Sequence, residues 1–271
     1  MTVATPPLRL RSVSLPSQIE TFFSLLWRDV FVTGREFLPF FAQVIVQPLF
    51  SLLIFGKVLS DLGYTDNVFG QILLPGLVAL NAFLAGLQST ALPLVLDFSY
   101  TREIEDRLLA PVSMGLVAVE KIVFGAIRGL VAGLFIVPLG FWLLHMSWPA
   151  HTYLPVVGVL ILGALVASAL GMVLGTLVSS RRIEIMLTVA LTPLIFTGST
   201  QFPFLGIKDL LWFQIVCGLN PCTYMSEAMR AIIAPTAVES LPLWISISVL
   251  GAALVVFTWV GIIGFMRRAL D

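Results

Sequence analysis

Hydrophobic positions in this chain form long runs, and polar positions gather in the short stretches between them. The runs lie at about 37–59, 71–96, 116–144, 153–178, 185–204 and 241–266. A helix of about 20 apolar residues crosses a bilayer. The pattern therefore predicts six transmembrane helices. The fifth is the shortest and is interrupted by Pro193 and Gly198.

Two segments break this rhythm. Ahead of the first run, Ser17 and Glu20 fit a capping box, which starts a helix. Over 17–35, Ile19, Phe22, Phe23, Leu26, Trp27 and Val30 share one arc, while Glu20, Ser24, Arg28 and Arg35 lie on another. That is the pattern of an amphipathic helix lying in the membrane interface. The plainer alternative is an extension of the first span into the cytosol. Ahead of the last run, residues 204–233 hold two helices of about a dozen residues each, too short to cross. Asn220 and Pro221 predict the turn between them, with Asn as N-cap and Pro at the first helical position. Two such helices can dip into the bilayer and return, because each satisfies its own backbone. A cap that stays outside the bilayer fits the same residues. Glu227 and Arg230 stand three apart, close enough to pair on one helix face.

Composition turns these runs into a class. The 271 residues are 58% hydrophobic and 11% charged, with a mean hydropathy of +1.02. A soluble domain carries about 25% charged residues, so this chain cannot cover a water-facing surface. The fold expected is all-α and polytopic. Residues 1–16 read as a cytoplasmic tail, 17–35 as the interface helix and 36–271 as a six-span transmembrane domain. Net charge is zero, which offers nothing to a nucleic acid. Cys217 and Cys222 are too few for a disulfide framework.

Charge bias orients the spans. Arg9, Arg11, Arg28, Arg35, Arg102, Arg107, Arg181, Arg182, Arg267 and Arg268 fall on one side, against Lys57, Lys208 and Arg230 on the other. By the positive-inside rule both termini are cytoplasmic.

Motifs for chemistry are missing. The sequence has no G-x-x-x-x-G-K-[ST] phosphate loop and no H-E-x-x-H pair. His145 and His151 flank a loop without a carboxylate or thiol nearby, so no metal site and no catalytic residues are expected. Asp97 ends the second span, and Glu120, Lys121 and Arg128 lie in the third. A gate or relay is one reading of these intramembrane charges, and local pairing near the interface is the weightier one. No cluster of polar residues marks a wet channel. Phe37, Phe40, Phe41, Phe50 and Phe196 either line a path or face lipid.

One loop stands out. At 100–111, Arg102, Glu103, Glu105, Asp106 and Arg107 are charged, Leu108 and Leu109 follow, and Pro111 ends the stretch. Two arginines would suffice to set topology. The acids and the Leu-Leu pair suit a short helix that grips a soluble partner. The segment "REIEDRLLAPVSMGLVAVEKIV" resembles the E-x-x-x-x-x-L-x-x-x-P-V-S pattern of type 2 ABC exporter permeases. Their second hallmark resembles Phe202-Pro203, the Asn220-Pro221-Cys222-Thr223-Tyr224 turn and the Glu227-Ala228-Met229-Arg230 helix. Cys222 departs from the aliphatic residue usual there.

The resemblance implies two permease subunits, identical or homologous, above two separate ATP-binding cassette ATPase subunits. ATP and Mg would sit on those partners, with no cofactor in this chain. Residues 100–111 would be the coupling helix. The hairpin at 204–233, with Pro203, Asn220, Pro221, Tyr224, Glu227 and Arg230, would be re-entrant on the outer side. The implied activity is efflux through the cell membrane of a drug or lipid, or of a lipid-linked polysaccharide. An ATP-independent secondary transporter is the competing class, and it predicts mid-membrane charges or inverted repeats.

Overall fold

The computed structural model describes residues 15–35, 37–64, 67–98, 113–178 and 183–270. Among them every regular element is helical, with no strand. In chain order they are α1 (Leu15–Arg35), α2 (Phe37–Asp61), α3 (Asn67–Leu96), α4 (Met114–Leu144), α5 (Tyr153–Leu177), α6 (Ile183–Thr197), α7 (Leu211–Gly218), α8 (Pro221–Ile233) and α9 (Leu243–Leu270). Five of these, α2, α3, α4, α5 and α9, are long and apolar enough to cross a membrane. The chain is an all-α polytopic membrane protein. The remaining expected crossing is α6, with 15 residues. At 1.5 Å per residue it is about 22 Å long, against a hydrocarbon layer of about 30 Å. It ends at Thr197, and Ser199 then turns the chain with a left-handed φ of 48°.

Helix α3 is the centre of the bundle. Most of its membrane window is buried, whereas α2 and α9 are mostly open. It packs on α4 and α5 along its length and on α8 near its start. The α3–α4 contact is close because Gly125, Gly129 and Gly133 repeat every fourth residue on one face of α4. A Cβ on Gly129 would stand 2.6 Å from the Ala82 carbonyl oxygen, and one on Gly133 would stand 2.8 Å from the Ala82 Cβ. Small residues let backbones approach in this way where lipid gives no hydrophobic drive to pack. Polar threads tie α3, α4 and α5 together. Asn81 Nδ2 donates to the Ala132 carbonyl at 2.8 Å. Thr90 and Ser168 hydroxyls meet at 2.5 Å, and Ser168 donates on to the Ile122 carbonyl at 2.7 Å.

Contacts between helix ends fix which ends lie together. Arg268, in the last turn of α9, donates to the carbonyls of Gly175 and Thr176 at the end of α5. Its guanidinium also lies 4.9 Å from the centre of the Phe98 ring, just past α3. Lys121, early in α4, meets Asp29 of α1. So α1 and the end of α9 share one end of the bundle. One expectation is corrected: α1 is already helical at Leu15, so Ser17 lies inside the helix and does not cap it. Ile19, Phe23 and Trp27 form an open apolar stripe along α1, with Trp27 71% exposed.

Candidate functional site

At the end of the bundle away from the termini, α7 and α8 form the expected helical pair. Asn220 caps α8: its Oδ1 accepts from the Cys222 N–H at 2.9 Å, and Pro221 takes the first helical position. The amide's other end donates to the Leu194 carbonyl at 2.9 Å and to Thr197 Oγ1 at 3.0 Å, tying the turn to α6. Tyr224 donates its hydroxyl to the Gly218 carbonyl at 2.8 Å, closing α8 on α7. Pro203 starts a 3-10 turn over Phe204–Ile207.

The pair Glu227–Arg230 holds this assembly together. Arg230 Nη1 and Glu227 Oε1 are 2.8 Å apart, and both side chains are 0% exposed. Arg230 also donates to the carbonyls of Thr200 at 2.8 Å and Ile72 at 3.2 Å. Glu227 accepts from the backbone N–H groups of Phe204 at 3.1 Å and Leu241 at 3.0 Å. A buried ion pair is tolerable only when its remaining donors and acceptors are satisfied, as they are here. Two adjacent side chains thus join α3, the strap after α6, the 3-10 turn and the approach to α9. Gly76 allows it, because a Cβ there would collide with the Thr200 carbonyl. Cys222 is fully enclosed, and burial pushes its thiol up to about 12 although Arg230 draws it partly back. The arrangement is structural and leaves no nucleophile or base exposed.

At the opposite end, the third-span charges separate into different roles. Lys121 Nζ lies 3.4 Å from Asp29 Oδ2 and 3.5 Å from Asp97 Oδ2, with all three side chains 9% exposed. Asp29 also meets Arg28 at 3.5 Å. Lys121 therefore locks α1, α3 and α4 to one another. Sequence reading offered Glu120 as the neutralising partner and passed over Asp29. Asp29 sits beside Phe22 at the edge of the apolar arc of α1, where the sequence pattern gives no sign of a partner for Lys121. Glu120 is fully buried. The residues expected to grip a soluble partner, Arg102, Glu103, Glu105, Asp106, Arg107, Leu108, Leu109 and Pro111, lie outside the described residues.

Between these ends lies a cleft of about 250 Å³ bounded by α2, α3 and α4. Its lining includes Gln43, Gln47, Asn81, Gln88, Ser89 and Arg128. Arg128 and Asn81 sit near the middle of their helices. The Arg128 guanidinium stacks 4.5 Å from the Phe40 ring centre and 6.0 Å from that of Phe124. These polar groups meet inside the bundle, although the sequence pattern marks no wet channel. The groups come from three helices, and most are uncharged amides that a scan for ionisable residues passes over. The five phenylalanines divide. Phe40 enters the cleft, Phe37 and Phe41 stack on each other and meet Phe135 at steeper angles, and Phe50 and Phe196 point outward.

Residues 20–234 match the family model described as ABC-2 type transporter. The chain is also similar to the inner membrane transport permease YadH of Escherichia coli strain K12. They are 26% identical over 203 residues, covering 72% of this chain and 77% of that protein. The YadH proteins of Escherichia coli O157:H7 and Shigella flexneri match to the same extent.

Proposed function

This chain belongs to the ABC-2 type transporter family, and from that premise we propose that it is the membrane permease of an ATP-driven exporter of an amphipathic drug or lipid. The observation that carries the reading is the family match across most of a chain with no phosphate loop of its own. A permease of this kind takes its drive from a separate nucleotide-hydrolysing subunit. The energy enters at the end of the bundle that holds α1, which the arginine bias places in the cytosol. Two ATPase subunits dock there beneath two permease copies, on the 100–111 loop and α1. The Asp29–Lys121–Asp97 cluster supports this reading, because it ties the interface helix to both helices that flank that loop. Closure of the ATPases on ATP then shifts α3 and α4 together, and cargo leaves at the hairpin end.

Export of a lipid-linked polysaccharide is the second reading. The amide-lined cleft favours it, since amides exchange hydrogen bonds with sugar hydroxyls. Both readings share one test. The full chain is co-reconstituted in liposomes with the ATP-binding protein that co-purifies with it. ATP hydrolysis and cargo efflux that need both proteins support the proposal. Transport by the purified chain alone, without ATP, would refute it.

A further inference from the structure

The end of the bundle that holds α1 carries a second cleft, of about 440 Å³, between the last turns of α5 and α9. Thr176 and Leu177 line one wall, and Val260, Arg267 and Arg268 line the other. A Cβ on Gly264 would stand 2.6 Å from Thr176 Oγ1, so the two helices nearly touch within the cleft. Arg268 is fixed by its Nη1, which donates to the carbonyls of Gly175, Thr176 and Val178 at the end of α5. Among the described residues its bonds run through that nitrogen alone, which leaves Nη2 and Nε of the fork for a ligand. Arg267 is exposed beside it. A guanidinium stays charged at any physiological pH, and its planar fork matches the oxygens of a phosphate.

The surroundings choose between a dissolved anion and a lipid. Most of the membrane window of α9 is open. Val256 and Val260 lie one turn apart on the face of α9 that carries Arg267, and they are 51% and 38% exposed. Leu177, across the cleft, is open as well. This apolar row runs from the arginines into the bilayer, where a dissolved phosphate has no use for it and an acyl chain does. Basic pockets between spans at the cytoplasmic surface take anionic headgroups. We propose that this cleft binds an anionic phospholipid of the cytoplasmic leaflet, its phosphate on Arg267 and Arg268 and an acyl chain along Val260 and Val256. The site is separate from the α2–α3–α4 cleft and needs neither cargo nor an ATPase, so it stands or falls apart from the exporter reading.

The test uses the full chain in dodecyl maltoside micelles, with bound lipid counted by native mass spectrometry across a titration. Dioleoylphosphatidylglycerol binds at least about tenfold more tightly than dioleoylphosphatidylcholine, on the scale of two arginines at a membrane surface. Inorganic phosphate in large excess does not displace it. Arg267→Gln removes most of the preference, and Arg267→Lys keeps most of it. Arg268→Gln also releases the end of α5, so the exposed Arg267 is the residue that decides. Arg35→Gln removes an exposed charge from α1 at the same end of the bundle and leaves the preference unchanged. Equal binding of the two lipids overturns the proposal, as does an equal loss in Arg267→Gln and Arg35→Gln. Displacement by inorganic phosphate would make this a soluble-anion site. Lipid binding to the monomer but not to a dimer would make the face a contact between copies. Either result overturns the proposal too.

Discussion

At the scale of single residues, Glu227 and Arg230 make the sharpest claims. Each is completely buried and each satisfies backbone groups that have no water to turn to. Removing one partner strands the other's charge. Glu227→Ala and Arg230→Ala should each cost about 3–5 kcal/mol, read as loss of thermal stability in detergent. The double variant Glu227→Leu with Arg230→Met should recover part of that loss. A strictly additive double-variant cycle would show that the pair does not act as a unit. Cys222 supplies a second check. Its enclosed thiol, held up to about 12, should resist maleimide in the folded protein at pH 7 and react fully once unfolded. This part of the site was legible in advance. Asn220, Pro221, Glu227 and Arg230 act over one to three positions, and the cap geometry follows from their chemistry. What could not be read was the reach of Arg230 to the Ile72 carbonyl, a contact between residues 158 positions apart.

At the scale of elements, length and apolar character were readable, and partners were read only where a local signal existed. The bounds of α3, α4 and α5 fall within a few residues of those expected. The glycine repeat on α4 is a signal that the sequence analysis passed over: small residues spaced by four admit a close interface. Gly129→Leu should force α4 away from Ala82 at a cost of about 1–3 kcal/mol or more. The loss should appear as lower thermal stability, with Gly34→Leu, which meets nothing within 4 Å, as the neutral control. The tie between α1 and the spans had no such signal. Asp29 lies on α1 and its partner Lys121 on α4, 92 positions away. Lys121→Met keeps the length of the side chain and removes its charge. It should leave insertion intact, lower stability, and reduce ATPase turnover in the reconstituted complex several-fold. Unchanged turnover would mean that α1 carries no drive.

For the whole molecule, composition was enough to reach a polytopic helical protein, because 11% charged residues cannot dress a soluble surface. The cleft was not reachable that way. Gln43 and Arg128 stand 85 positions apart in sequence, and only the packing of three helices brings them together. The proposed assembly also predicts behaviour of the loop at 100–111. Glu103→Ala and Arg107→Glu should reduce partner-dependent ATP hydrolysis while leaving membrane insertion unchanged, measured in liposomes with both proteins. Normal export in both variants would count against docking there. The glycine contact between α3 and α4 has a mechanical meaning at this scale. Where backbone lies directly on backbone there is no soft side chain to absorb a displacement, so the two helices have no slack and travel as one lever. Its near arm is gripped at Asp97, and its far arm, 21 residues or about 32 Å along the axis at Gly76, presses on the strap that seats the hairpin. A nudge at one surface of the bilayer must then emerge at the other as a tilt.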